Sequence, residues 1–267
     1  MRSLAVNQFT TPKWSFEEDV QAYAAAGFQG IGVVRDKAQA YGIEAASALL
    51  KEHDLKITEL CVAGFFTETD ADAFQTKVSD ARQAIDMAAQ LEADVLILLA
   101  GPPGNRTFEE NSALLRRGLE EILPAAEQHH VRLALEPVHP MYRAGYSFIV
   151  TLAEALDVCE TVGSSFLGVW LDMYHLWWDN SVLEQIDRAS GRILGVHIND
   201  FKEETLSLID QGVPGEGVIP LRRMLDAIEK TGWEGMYAIE IFCERTAVEG
   251  YHDVLRRCRE GFTAIWE

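Results

Sequence analysis

The feature that most constrains the fold of this chain is the alternation of strand-like and helix-like segments along its whole length. Short apolar runs such as Leu4–Val6 and Ile193–Ile198 predict strands. Longer amphipathic segments follow them, as in Phe16–Ala26, which has Ser15 at its start and Gly27 at its end. This pattern occurs eight times, and no linker or low-complexity segment divides the series.

Eight strands that are each followed by a helix predict a (β/α)₈ TIM barrel, an α/β fold, formed by residues 1–267 as a single domain. A chain of 267 residues has the usual length for this fold. A doubly wound sheet is the alternative, although that fold would more naturally contain five or six strands. The predicted strands are Leu4–Val6, Ile31–Val34, Leu55–Val62, Asp94–Ala100, Arg132–Val138, Phe166–Asp172, Ile193–Ile198 and Met236–Phe242.

Four of the predicted strands carry a potential metal ligand at their carboxyl end. Leu133–Leu135 is followed by Glu136, and three further strands end in Asp172, His197 and Glu240. Functional groups of a barrel lie at the carboxyl ends of its strands, so these four side chains are expected to meet at one side of the mouth. Strand alternation also points the residues two positions earlier into the barrel: Ala134, Trp170, Gly195 and Ala238.

Three carboxylates and one imidazole form a hard, oxygen-rich set of ligands. Such a set suits Mn²⁺, Mg²⁺ or Co²⁺ and also accepts Zn²⁺. Without a cation, three carboxylates this close would repel one another, and at least one would hold a proton. The alternative interpretation is a group of separate salt bridges together with an ordinary core histidine.

Charge and composition narrow the range of partners. The formal net charge of −19 disfavours binding to nucleic acids and to anionic membranes, because both need a basic surface. No apolar run approaches the length of a membrane span, and the N-terminus becomes polar too early for a secretory signal. The four cysteines are scattered without a CxxC pair. We therefore expect a cytoplasmic protein with reduced thiols, without a nucleic-acid or membrane partner.

Several short motifs resemble those of the xylose isomerase-like TIM barrel family of sugar isomerases and epimerases, and most closely its inosose isomerase group. The resemblance is close between Leu133 and Phe242 and elsewhere extends only to the order of strands and helices. It implies that Glu136, Asp172, His197 and Glu240 hold the metal. It also implies that His175 binds substrate. The motifs are Ala134–Pro140 (ALEPVHP), Leu171–His175 (LDMYH), His197–Asp200 (HIND), Pro214–Gly217 (PGEG) and Ile239–Phe242 (IEIF).

The resemblance implies a divalent-metal-dependent isomerase or epimerase of a ketose, keto-inositol or related polyol. The metal is expected to be Mn²⁺, with Mg²⁺, Co²⁺ or Zn²⁺ as alternatives. Glu136 and Glu240 would transfer a proton through a metal-bound cis-enediolate, one as base and the other as acid. A dehydratase of the inosose or dehydroshikimate type would use the same intermediate, and a non-catalytic sugar-binding barrel is a further alternative.

Three more residues are candidates for weaker roles. His139 and Arg245 are expected to contact the substrate, although each is also readily explained as a surface residue of a loop. Asp200 is a candidate to orient His197, or alternatively a solvated loop carboxylate. Lys202 and Arg245 are the only basic residues near the last two strands, which favours an unphosphorylated substrate. Many barrels of the family form homodimers or homotetramers, so either state is expected here.

Overall fold

Eight parallel strands close into a barrel in the computed structural model, which describes residues 2–267. Each strand pairs with its neighbours in chain order, and the last barrel strand pairs with the first. The predicted barrel is therefore confirmed, and the doubly wound alternative is wrong. The barrel strands are β1 (Leu4–Asn7), β2 (Gly30–Val34), β3 (Lys56–Gly64), β4 (Val95–Leu99), β5 (Arg132–Leu135), β6 (Leu167–Asp172), β7 (Ile193–Ile198) and β10 (Tyr237–Ile239).

Helices cover the outside of the barrel. Three of the described helices begin with a capping box. In the capping box at Thr107, the threonine hydroxyl accepts a hydrogen bond from Glu110 N, and the Glu110 carboxylate accepts one from Thr107 N. Among residues 2–267, no helix combines the length and the apolar character that crossing a bilayer requires. The helices are α1 (Phe16–Ala25), α2 (Arg35–Tyr41), α3 (Ile43–Glu52), α4 (Ala71–Leu91), α5 (Phe108–His129), α6 (Leu152–Val162), α7 (Met173–Leu176), α8 (Val182–Arg188), α9 (Leu221–Lys230), α10 (Thr246–Glu249) and α11 (Tyr251–Ile265).

The loop after β7 contains a small hairpin that the sequence did not predict. Its strands are β8 (Asp200–Phe201) and β9 (Gln211–Gly212), which pair in antiparallel fashion. Two short helices, α7 and α10, were also not predicted. All of these elements lie at the carboxyl ends of barrel strands, so they surround the mouth of the barrel.

A compact apolar layer fills the barrel interior beneath the mouth. Trp170 packs there with Ala134 and Ile97 and is almost fully buried. Gly195 lies against the Trp170 ring, because a methyl group added at Gly195 would come within 2.5 Å of three ring carbons. These contacts confirm the predicted inward direction of Ala134, Trp170 and Gly195. The alternation that turns these residues inward also turns the four predicted ligands toward the barrel axis.

Candidate metal centre

The four predicted ligands occupy equivalent places at the carboxyl ends of neighbouring strands. Glu136 follows β5, Asp172 ends β6, His197 lies in β7 and Glu240 follows β10. Strand pairing sets Asp172 directly opposite His197, and it sets Ala238, two residues before Glu240, opposite His197 on the other side. All four side chains are buried. The parallel register therefore brings distant parts of the chain to one point.

The ligand atoms of these residues form a tight cluster. One atom from each of the four side chains lies within 4.8 Å of all the others. His197 Nδ1 is 3.2 Å from Glu240 Oε2, 3.6 Å from Glu136 Oε1 and 3.7 Å from Asp172 Oδ2. The imidazole nitrogen and the three carboxylates thus face one small volume, which has the size that a single cation requires.

The residues present fit a divalent metal ion. Glu136 Oε1 and His197 Nδ1 are buried and have no hydrogen-bond partner among the described residues, which is costly for polar atoms of this kind. Burial raises the pKa of both Glu136 and Glu240. Burial alone would lower the pKa of His197, but the facing glutamates outweigh it and raise that pKa well above its usual value. A divalent cation would use the orphaned atoms and compensate the crowded negative charge.

Asn199 holds the ends of three strands together beside this cluster. Its Nδ2 donates hydrogen bonds to Asp172 Oδ1 and Oδ2, at 3.1 and 3.2 Å, and to the carbonyl oxygen of Glu240 at 3.0 Å. Its Oδ1 accepts a hydrogen bond from Tyr174 N at 2.9 Å. The Asp172 carboxylate is therefore fixed in orientation, and its position relative to Glu240 is set by one buried amide.

A cavity of about 260 Å³ opens directly above the cluster. Glu136, Glu240 and His175 line it, together with Gln211. The rest of its wall consists of apolar and aromatic side chains and Cys61, and no lysine or arginine among residues 2–267 contributes to it. Two of the predicted ligands, Glu136 and Glu240, therefore lie in the wall of a small, largely apolar cavity at the barrel mouth.

Comparison with known proteins gives the family of the chain. The family model described as xylose isomerase-like TIM barrel matches residues 20–261. The chain belongs to this family. The family predicted from the motifs is thereby confirmed.

Relatives and solved structures agree with this assignment. An inosose isomerase from Bacillus velezensis is 24% identical over 90% of this chain and 88% of its own length. An L-ribulose-5-phosphate 3-epimerase from Salmonella heidelberg is 26% identical over 72% of this chain and 67% of its own. A Sinorhizobium meliloti protein, SMc04130, has a crystal structure that superposes with a TM-score of 0.93 at 34% identity and covers 98% of both chains. The structure of the IOLI protein with a bound zinc atom superposes with a TM-score of 0.88 at 20% identity, over 99% of this chain and 98% of its own.

His175 is the predicted substrate residue that lies at the cavity of this xylose isomerase-like barrel. It belongs to α7, which follows Asp172 directly. Its Nδ1 is buried and has no hydrogen-bond partner among the described residues. The Tyr142 ring packs against it, with 5.4 Å between ring centroids. The side chain is therefore held at the cavity wall with an unused polar atom.

His139 and Arg245 lie outside the set of residues that line the cavity. His139 Nδ1 accepts a hydrogen bond from Met141 N at 3.3 Å, and burial lowers the pKa of this histidine to about 4. Arg245 is half-exposed and donates to Asp210 Oδ1 at 2.7 Å; Lys202 Nζ donates to the same oxygen at 2.8 Å. The structure gives both residues other contacts, and their role in substrate binding stays a prediction.

The Asp200 carboxylate bonds to backbone amides of the following loop and not to His197, so the prediction that it orients His197 is wrong. The alternative of a solvated loop carboxylate is also wrong, because the side chain is buried. Its Oδ2 accepts hydrogen bonds from Gly215 N and Gly217 N, at 2.9 and 3.0 Å, and its Oδ1 accepts one from Ile219 N at 3.0 Å. Asp200 thus fixes the loop that leads to α9.

The second ring nitrogen of His197, Nε2, faces Glu59, a residue that the sequence did not lead us to predict. A carboxylate that directly precedes the apolar residues Leu60 and Cys61 within a strand was the signal that could have found it.

Proposed function

We propose that this enzyme is a divalent-metal-dependent isomerase or epimerase of a small, unphosphorylated ketose, keto-inositol or related polyol. The observation that carries the proposal is the convergence of Glu136, Asp172, His197 and Glu240 at one point, with Glu136 and Glu240 lining the cavity. The names of the relatives, an inosose isomerase and an L-ribulose-5-phosphate 3-epimerase, support the same class of reaction. We propose Mn²⁺ as the ion, with Mg²⁺, Co²⁺ or Zn²⁺ as alternatives, because the ligand set is rich in carboxylate oxygen.

The charge of the cavity wall favours a substrate without a phosphate group. A phosphate is normally bound by basic side chains or by backbone amides at a helix N-terminus. No lysine or arginine lines the described cavity, and the two basic residues that follow the last two predicted strands, Lys202 and Arg245, already pair with Asp210. The volume of about 260 Å³ suits a compact ligand. The expected homodimer or homotetramer and the cytoplasmic location stay predictions.

The chemistry assigned to the site begins with loss of a proton from a carbon next to a carbonyl group. A divalent ion held by the four ligands would polarise the carbonyl and stabilise negative charge on its oxygen. Glu136 and Glu240 both reach the cavity, so one carboxylate is proposed to remove the proton and the other to return it.

The place to which the proton returns decides the reaction. Return to the former carbonyl carbon, with the hydroxyl proton moving to the former carbonyl oxygen, gives isomerisation. Return to the opposite face of the same carbon gives epimerisation. His175 is proposed to hydrogen-bond a substrate oxygen as negative charge grows there, because its Nδ1 is free at the cavity wall.

The proposal is tested first by the metal content of the purified protein and then by proton exchange. In D₂O with Mn²⁺, the wild type should incorporate deuterium next to the carbonyl of inososes or ketohexoses. Glu240→Gln should lower that rate by about 10²- to 10⁴-fold, because it removes one proton-transfer group. Glu244→Gln is the matched control, since Glu244 is exposed on the loop after the same strand.

Three results would contradict the proposal. Full turnover of Glu240→Gln would show that the acid–base assignment is wrong. Loss of a β-hydroxyl group from the substrate would indicate a dehydratase. Absence of both bound metal and exchange would indicate a non-catalytic barrel.

A further inference from the structure

The half of the barrel that contributes no metal ligand contains a buried carboxylate. Glu59 lies in β3, is 0% exposed, and does not line the cavity, so it is separated from any substrate there. Its Oε1 is 3.1 Å from His197 Nε2. Burying a carboxylate without a cationic partner is unfavourable, so this side chain calls for an explanation in terms of the histidine that it contacts.

We propose that Glu59 is a positioning residue that directs the Nδ1 atom of His197 toward the metal. The two ring nitrogens of His197 face opposite environments: Nδ1 faces the three carboxylates and Nε2 faces Glu59. An imidazole that binds a metal through Nδ1 carries its ring proton on Nε2. The Glu59 carboxylate accepts that proton in a hydrogen bond, which fixes both the tautomer and the angle of the ring and makes Nδ1 a stronger ligand.

Two neighbouring strands hold Glu59 in place. Asn7, at the end of β1, donates from Nδ2 to Glu59 Oε1 at 2.7 Å, and its own Oδ1 accepts from Phe9 N at 2.9 Å. The second bond fixes the amide with its nitrogen toward Glu59. Gly32 in β2 leaves the space that the carboxylate needs, because an added methyl group would lie 2.6 Å from Asn7 Nδ2 and closer still to Glu59 Oε1.

An irregularity in the sheet aims the side chain. Ile31 pairs with Ile57, but Gly32 pairs with Glu59, so β3 contains one extra residue, Thr58, at this point. A bulge of this kind changes the direction in which a strand presents its side chains. It sets Glu59 opposite a glycine, the one residue type that leaves room for it. Strands β1, β2 and β3 therefore support His197, which β7 contributes as a ligand from the opposite side of the barrel.

The inference rests on the proposed metal site, and its test uses metal binding rather than turnover. Mn²⁺ affinity of the metal-free full-length protein is measured by titration calorimetry for wild type, Glu59→Gln and Asp19→Asn. Asp19→Asn is the matched control, because it also converts a buried carboxylate to its amide but contacts none of the ligands. Glu59→Gln should weaken Mn²⁺ binding by about 10- to 100-fold, whereas Asp19→Asn should leave it within about twofold of wild type.

A spectroscopic readout separates positioning from a general loss of stability. In the Zn²⁺-loaded wild type, ¹⁵N NMR should show the His197 ring with its proton on Nε2, and Glu59→Gln should broaden or shift these signals. If Glu59→Gln does not fold, Asn7→Ser is the second variant. It replaces the amide that donates to Glu59 with a shorter hydroxyl but keeps an oxygen for Phe9 N, and it should weaken Mn²⁺ binding in the same direction by a smaller factor.

The outcomes distinguish this inference from the proposed function. If the wild type binds Mn²⁺ and a folded Glu59→Gln binds it equally well with an unchanged ring signature, the role of Glu59 is wrong and the metal site stands. Equal binding by Asn7→Ser, where that variant has to be used, overturns the role in the same way. If the folded wild type binds neither Mn²⁺ nor Zn²⁺, both the metal site and the role of Glu59 are overturned.

Discussion

Replacing Gly195 with alanine tests whether the packed layer beneath the metal centre is as tight as the structure indicates. The new methyl group would lie within 2.5 Å of three carbons of the Trp170 ring, whereas non-bonded carbons rest about 3.5–4.0 Å apart. The ring must therefore retreat by about 1 Å or more. Trp170 is 1% exposed and is enclosed by Cys61, Ile97 and Ala134, so it has no empty space to enter.

The expected cost follows from the tightness of this contact. Overpacking a well-filled core costs about 1–3 kcal/mol, and the severe overlap places Gly195→Ala near the upper end, at about 3 kcal/mol. For a protein of this size, that loss lowers the midpoint of thermal unfolding by about 6–12 °C. The Trp170 ring also lies 4.9 Å from the His197 ring, centroid to centroid, so its displacement should weaken Mn²⁺ binding as well.

Urea unfolding monitored by tryptophan fluorescence measures the change in the free energy of unfolding. Gly145→Ala is the matched control, because a methyl group added at Gly145 meets no atom of residues 2–267 within 4 Å. It should leave stability unchanged or raise it slightly. A Gly195→Ala variant as stable as wild type, with unchanged Mn²⁺ affinity, would refute the packing argument and show that the layer can rearrange freely.

Two further predictions concern metal binding and pH. Mn²⁺ at 100 times its Kd should raise the free energy of unfolding of the wild type by about 2.7 kcal/mol, and Asp172→Asn should lose most of this gain. A thermal midpoint of the wild type that does not move with Mn²⁺ would contradict this prediction. Burial, opposed by Lys37, raises the pKa of Asp19 from 3.8 to about 6. Because the folded-state pKa is the higher one, the stability that Asp19 contributes is present below about pH 4 and is lost as the pH rises through 6. Relative to Asp19→Asn, which cannot titrate, wild type should therefore lose about 2.4 kcal/mol between pH 4 and pH 7. Urea titrations across this range measure the difference, and parallel pH profiles would contradict it.

Local signals predicted most of the architecture because strands and helices leave periodic patterns in a sequence. The strand predicted at Ile193–Ile198 is observed with these bounds, and the helix predicted at Phe16–Ala26 is observed as Phe16–Ala25. Other elements differ by a few residues at their ends, since the last residues of a strand are decided by pairing partners rather than by their own preference. Met236–Phe242, for example, is reduced to Tyr237–Ile239 where its neighbour β7 ends.

The candidate ligands were readable from the sequence for a similar reason. A charged or imidazole side chain at the end of an apolar run is conspicuous, and four of them at equivalent strand ends suggested one site. The supporting residues were harder to recognise. Asn199 and Asp200 occur side by side after β7, but only their hydrogen bonds show that the first fixes Asp172 and the second fixes the following loop.

The sequence by itself determined the order of the strands and helices, the small residues inside the barrel and the kinds of ligand at the strand ends. These properties depend on each residue and its near neighbours along the chain. The tertiary structure alone decided the pairing of Glu59 with His197 and the position of Arg245 beside Asp210. Those contacts join residues 138 and 35 positions apart, and they depend on strand register, a bulge and loop packing, none of which has a local signature.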